Sequence, residues 1–104
     1  MSNPFAALAS DKVYKLIEVT ADLADVDVEE FCTSRAAPVF LARATAMWIM
    51  RHELKVSYSE IGRAFGKDHT TVINALRRAE NMMNSHSMLR DLRDRLIKDM
   101  EKAA

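Results

Sequence analysis

Glycine and proline are nearly absent from this chain, with two of each among 104 residues. Sheet proteins use such residues in their frequent tight turns, so the scarcity argues against an all-β architecture and for helices joined by a few connections. A single cysteine, Cys32, rules out a disulfide within the chain and fits a reducing cytoplasm. No apolar run approaches the roughly 20 residues that cross a bilayer. The opening MSNPFAALAS has no basic start and only a short apolar patch, so a soluble, cytoplasmic protein without a membrane partner is expected. Chemistry-bearing motifs are missing too. There is no G-x-x-x-x-G-K-[ST] loop and no glycine-rich dinucleotide motif. His52, His69 and His86, spaced 17 residues apart, lack cysteine or carboxylate neighbours at metal-ligand spacing. The expectation is a protein that is not an enzyme, with no catalytic residue, metal, cofactor or small-molecule substrate.

What is present is 49% hydrophobic residues, enough for one modest core in a chain too short for two. The formal net charge is zero, which taken alone counts against a polyanionic partner. Its distribution is uneven. Residues 1–34 carry two lysines against seven acids, a net −5, whereas residues 35–78 carry eight Lys/Arg against three acids, a net +5. Residues 79–104 balance. The acidic end suits a face turned away from any polyanion, and the basic middle holds the most informative stretch.

That stretch is SYSEIGRAFGKDHTTVINALRR, residues 57–78. Ser57 with Glu60 is a capping-box pattern, so a helix should start near Tyr58. Ile61, Ala64 and Phe65 recur at helical spacing and Gly66 can end the helix in the left-handed conformation. Asp68 is a good N-cap for a second helix, in which Val72, Ile73, Leu76 and Ala79 form an apolar stripe. His69, Thr70, Thr71 and Asn74 are then left to face outward. Two helices about a glycine turn, over about 57–79, read as a helix-turn-helix. The first turn of such a second helix reaches base edges. Histidine and threonine hydroxyls can bond bases, threonine methyls can pack on thymine, and Asp68 could accept from a cytosine amine. Arg77 and Arg78, two turns on, suit phosphate.

The run IGRAFGKDHTTVINALRR closely resembles the signature of the DNA-binding domain of the bacterial replication initiator DnaA, a glycine-ended helix followed by a basic residue and Asp-His-Thr-Thr. The resemblance extends more weakly upstream through Ala46, Met47 and the arginines at 35, 43 and 51 to about Val26. It implies an all-α, Trp-repressor-like fold that reads an asymmetric site as a monomer. It also implies that Arg35 lies in a loop inserting into a minor groove, and that Arg43 and Arg51 meet the DNA. The sequence departs from the family pattern in three places. The arginine loop is thinned to Arg35, Ala44 stands where glutamine is common, and the turn is one residue shorter than Gly-Gly-Arg-Asp.

Elsewhere the reading is coarser. Residues 1–9 are expected to be a flexible arm and residues 10–104 one domain. A helix capped by Ser10 or Asp11 carries Val13, Leu16, Ile17 and Thr20, continued by Leu23 and Ala24, and Asp27 with Glu30 starts a short helix bearing Val28, Phe31 and Cys32. Thr33 to Pro38 reads as a loop, where Arg35 is either a solvated surface arginine or a minor-groove anchor. Val39 to Leu54 should be the longest and most apolar helix, its Phe40, Met47, Trp48, Ile49, Met50 and Leu54 in the core. On it Arg43 and Arg51 fall roughly 80° apart and can share one flank. Lys55 and Lys67 are either solvated or phosphate contacts, and Arg63 lies on the helix that crosses the DNA backbone in such folds. Glu80 to Ser87 reads as a helix end and connection. A last helix with Leu89, Leu92, Leu96 and Met100 closes the core or offers a dimer face.

The expected fold is therefore a small helical bundle containing a helix-turn-helix. Its expected function is sequence-specific binding of double-stranded DNA at sites like the DnaA box, by a stand-alone regulator or accessory factor of replication or transcription. Bases are assigned to Arg35, Asp68, His69, Thr70 and Thr71, and the backbone mainly to Arg43, Arg51, Lys55, Arg63, Lys67, Asn74 and Arg77. The zero net charge and thinned arginine loop leave open an interaction module that keeps the fold without the DNA, and a homodimer also stays open.

Overall fold

The computed structural model describes residues 11–103, so the arm expected over residues 1–9 lies outside the described residues. Six helices follow one another: α1 (Asp11–Leu23), α2 (Val28–Thr33), α3 (Ala37–His52), α4 (Tyr58–Phe65), α5 (His69–Ser85) and α6 (Ser87–Ala103), with no strand among the described residues.

Helix α3 is the hub, packing against all five others. A helix in that position must be apolar or small on nearly every side. Val39, Ala42, Ala44, Thr45, Ala46, Met47, Ile49 and Met50 are all buried, the alanines admitting close neighbours. The main core joins Leu16 and Ile17 of α1, Phe31 of α2, Met47 and Met50 of α3, Ile61 and Phe65 of α4, Val72 of α5 and Leu96 of α6. A smaller cluster of Ala44, Ala79, Met83 and Leu89 fastens the far end of α5 to α3 and α6. Buried hydroxyls are satisfied locally: Thr20 donates to the Leu16 carbonyl at 2.7 Å and Thr45 to Leu41 at 2.8 Å.

Several boundaries differ from expectation. The connection placed over 80–87 shrinks to His86 alone, because burial of Ala79 and Met83 keeps α5 helical past Asn81 and Asn84. Helix α3 ends at His52 with Glu53 as C-cap, two residues before Leu54, and its 16 residues are exceeded by the 17 of α5 and of α6. The Thr33–Pro38 loop contracts to Ser34–Ala36, with Pro38 in the first turn of α3, where its missing N–H is no loss.

Candidate nucleic-acid interface

The capping box at α4 forms: Ser57 Oγ accepts from the Glu60 N–H at 3.1 Å. Gly66 ends α4 with φ 66°, left-handed, and the Lys67 N–H then donates to the Gly62 carbonyl at 2.8 Å. The turn thus folds back onto Gly62, where a Cβ would stand 2.5 Å from the Lys67 carbonyl oxygen. Helical spacing alone does not single out Gly62. Its signal was a glycine inside a short helix, a placement that costs roughly 1 kcal/mol against alanine unless packing requires it.

The turn delivers α5 with Val72, Ala75, Leu76 and Ala79 inward and Thr70, Thr71, Asn74, Arg77 and Arg78 exposed. Asp68 occupies the N-cap position with extended backbone, but its side chain caps nothing. Its Oδ1 lies 3.1 Å from His69 Nδ1 instead, and both side chains are well exposed, at 67% and 59%. The expectation of a capping Asp68 is corrected by that competing partner, since one carboxylate oxygen pointed at the imidazole is not on the backbone N–H groups ahead. The histidine's other nitrogen, Nε2, is left outward, as an acceptor in the neutral ring and a donor in the charged one.

The cations of the basic middle come from several elements. Arg63 is exposed on α4, and Lys67 is half-buried in the turn. Lys55 is exposed after α3 in a left-handed conformation, φ 59°. Arg51 lies over the Tyr58 ring at 4.3 Å, its Nη1 3.4 Å from the Val56 carbonyl. Arg78 lies over Phe40 at 4.9 Å, tying α5 to the start of α3. Phe40, expected in the core, is half-exposed because it serves as this stacking surface. Arg35 is exposed in the linker between α2 and α3. Among the described residues none of Arg35, Lys55, Arg63, Lys67, Arg77 and Arg78 forms an ion pair.

Arg43 departs from the set. Expected to share an outward flank with Arg51, it is 7% exposed and donates from Nη1 to the carbonyls of Phe31 at 3.0 Å and Ser34 at 2.9 Å. Burial pushes its pKa down from the ordinary value, with Cys32 acting in the opposite direction. Helical spacing sets the angle between Arg43 and Arg51, and α2 and its linker cover the part of α3 that carries Arg43.

Among the described residues no group of three or more His, Cys, Asp and Glu could hold a metal, and no helix is long and apolar enough to cross a membrane.

A tight two-helix motif that presents a polar leading turn, backed by a small all-helical bundle, defines a class, the DNA-binding helix-turn-helix domain. Within that class the chain belongs to the family described as Bacterial dnaA protein helix-turn-helix, which matches residues 13–79. It is 36% identical over 80 residues to the chromosomal replication initiator protein DnaA of Tropheryma whipplei, covering 74% of this chain and 17% of that protein. Against the DnaA of Bdellovibrio bacteriovorus it is 36% identical over 85 residues, 79% of this chain and 18% of that protein. The AMPPCP-bound DnaA structure from Aquifex aeolicus aligns with a TM-score of 0.69 at 30% identity, over 86% of this chain and 28% of that one. The chain thus spans less than a fifth of the length of these two initiator relatives.

Proposed function

We propose that this chain binds double-stranded DNA at DnaA-box-like sites, as a stand-alone regulator or accessory factor of replication or transcription without ATPase activity of its own. The observation that carries the reading is the exposed first turn of α5, where Asp68, His69, Thr70 and Thr71 stand clear of the bundle. In the proposal these four meet base edges in the major groove, and Arg35 enters the adjacent minor groove. Arg51, Lys55, Arg63, Lys67, Asn74 and Arg77 hold the phosphates on either side. Arg78 is held at Phe40 and extends that row along α5.

The test is selection from random duplexes followed by titration of the recovered site. His69→Ala and Thr71→Ala should each lower affinity for that site by about 1–3 kcal/mol, the worth of a good base contact. Affinity for unrelated duplex should hold, and so should the helical circular-dichroism spectrum. Variants that bind all duplexes as the parent does would refute the base-reading role. Footprinting across a genome checks the regulator role, which fails if no bound site lies near a promoter or origin.

A further inference from the structure

The guanidinium of Arg43 lies under the end of α2 rather than at the surface. Phe31, one of its acceptors, is in the last turn of α2, and Ser34, the other, is that helix's C-cap. The final carbonyls of a helix have no partner within it and attract positive charge. No basic residue of α2 stands in its own last turn. Arg43, reaching across from α3, supplies both the donors and the charge. A cation kept for phosphate would gain nothing from this burial, which strips it of water.

The Ser34 carbonyl belongs to the peptide plane that leads into Arg35. That plane is rigid, so fixing its oxygen fixes the direction in which the chain enters Arg35. The linker is held on both sides as well. The Ser34 N–H donates to the Glu30 carbonyl at 2.8 Å, and the Ala36 N–H donates to Ser34 Oγ at 3.1 Å. We propose that Arg43 is a positioning residue, which through the Ser34 carbonyl aims the exposed Arg35 at the minor groove and makes no phosphate contact itself. This rests on the DNA-binding reading above and assigns a different role to one of its arginines.

A double-mutant cycle separates the two roles. Arg43→Met keeps the volume and loses the donors, and Arg43→Lys keeps a donor and the charge; both are first checked for helical content and thermal melting. On the selected duplex, Arg43→Met should weaken binding about tenfold, on the scale of one lost groove contact, and Arg35→Ala should do the same. The double variant should be no weaker than Arg35→Ala alone, and Arg43→Lys should recover part of the loss. Without DNA, the Ala36 amide should exchange its hydrogen faster in Arg43→Met than in the parent. Unchanged Ala36 exchange, or additive losses with the salt slope falling by about one further unit, would overturn the proposal, because Arg43 would then be touching phosphate. Should Arg43→Met fail to fold, the same cycle and exchange measurement with Arg43→Lys decide it. A parent protein that selects no duplex removes the functional reading and this one with it. A parent that binds while the cycle is additive removes this one alone.

Discussion

Lys55 combines two demands that pull apart. Its φ of 59° is one of two positive values at non-glycine residues among the described residues, the other being Asp25 at 58°. For an L residue that region costs roughly 1–2 kcal/mol, whereas glycine enters it freely. Stability alone would favour glycine after Leu54, yet a lysine stands there, exposed and among the cations near the motif. Lys55→Gly should leave the melting temperature unchanged or raise stability by up to about 1 kcal/mol, the strain relieved being offset by the freer unfolded chain. The same variant should weaken duplex binding and reduce the salt slope by about one, as losing a phosphate contact would. Calorimetry and titration on one preparation check both, and undiminished binding would strike Lys55 from the contacts. Arg43 shows how far a single residue could be understood in advance. Its spacing from Arg51 holds, but a helical wheel does not say which neighbour covers a flank; the Asp27–Glu30 cap and the apolar Phe31 and Cys32 make α2 and its buried side legible, yet nothing in that pattern says that the end of α2 lies over Arg43. Asp68 is similar. It sits at the N-cap as its residue type predicts, and the competing imidazole next door decides where the carboxylate points.

At the scale of the element, the turn between α4 and α5 is set by two glycines with different tasks. Gly66 supplies the left-handed residue, and its position after a helical pattern made that legible. Gly62 supplies space, and only the folded turn reveals what fills it, the carbonyl of Lys67. Local spacing reports what a residue does along its own helix; it is silent about the backbone that returns onto it. The same limit explains α5, whose polar Asn81 and Asn84 read as an ending while the buried Met83 between them carries the helix on. Gly62→Ala tests the turn directly. The new methyl would stand 2.5 Å from a backbone oxygen that is itself fixed by the turn, so relief requires moving α5 relative to α4. Overpacking of this kind typically destabilises by 1–3 kcal/mol. Thermal unfolding should show that loss, and selective duplex binding should fall further than stability alone explains, because α5 is displaced. A variant as stable as the parent would mean that the turn yields easily and that Gly62 is there for another reason.

Across the whole molecule, charge separation matters more than charge content. Seven of the fifteen acidic residues fall in α1, α2 and the linker between them, at positions 11, 18, 22, 25, 27, 29 and 30, while the positive excess lies between residues 35 and 78. Because α3 packs against every other helix, it joins the acidic elements and the motif into one body. A polyanion approaching the acidic side is repelled and one approaching the motif is attracted, so the neutral total still orients a duplex. The number of phosphates neutralised then follows from the cations proposed to meet the backbone: Arg51, Lys55, Arg63, Lys67 and Arg77, without the buried Arg43. For B-DNA each phosphate contact contributes a slope of about −0.9 in the logarithm of affinity against the logarithm of salt. If all five engage, the slope should be near −4 to −5, the range following from about that many contacts. Titrating the selected duplex from low to physiological salt measures it. A slope near zero would mean that these cations do not face phosphate, and with it the interaction module without DNA would become the better account of a bundle whose total charge vanishes. A slope well beyond the expected range would instead require further cations, and Arg78, held against Phe40 beside α3, is positioned to be the first of them.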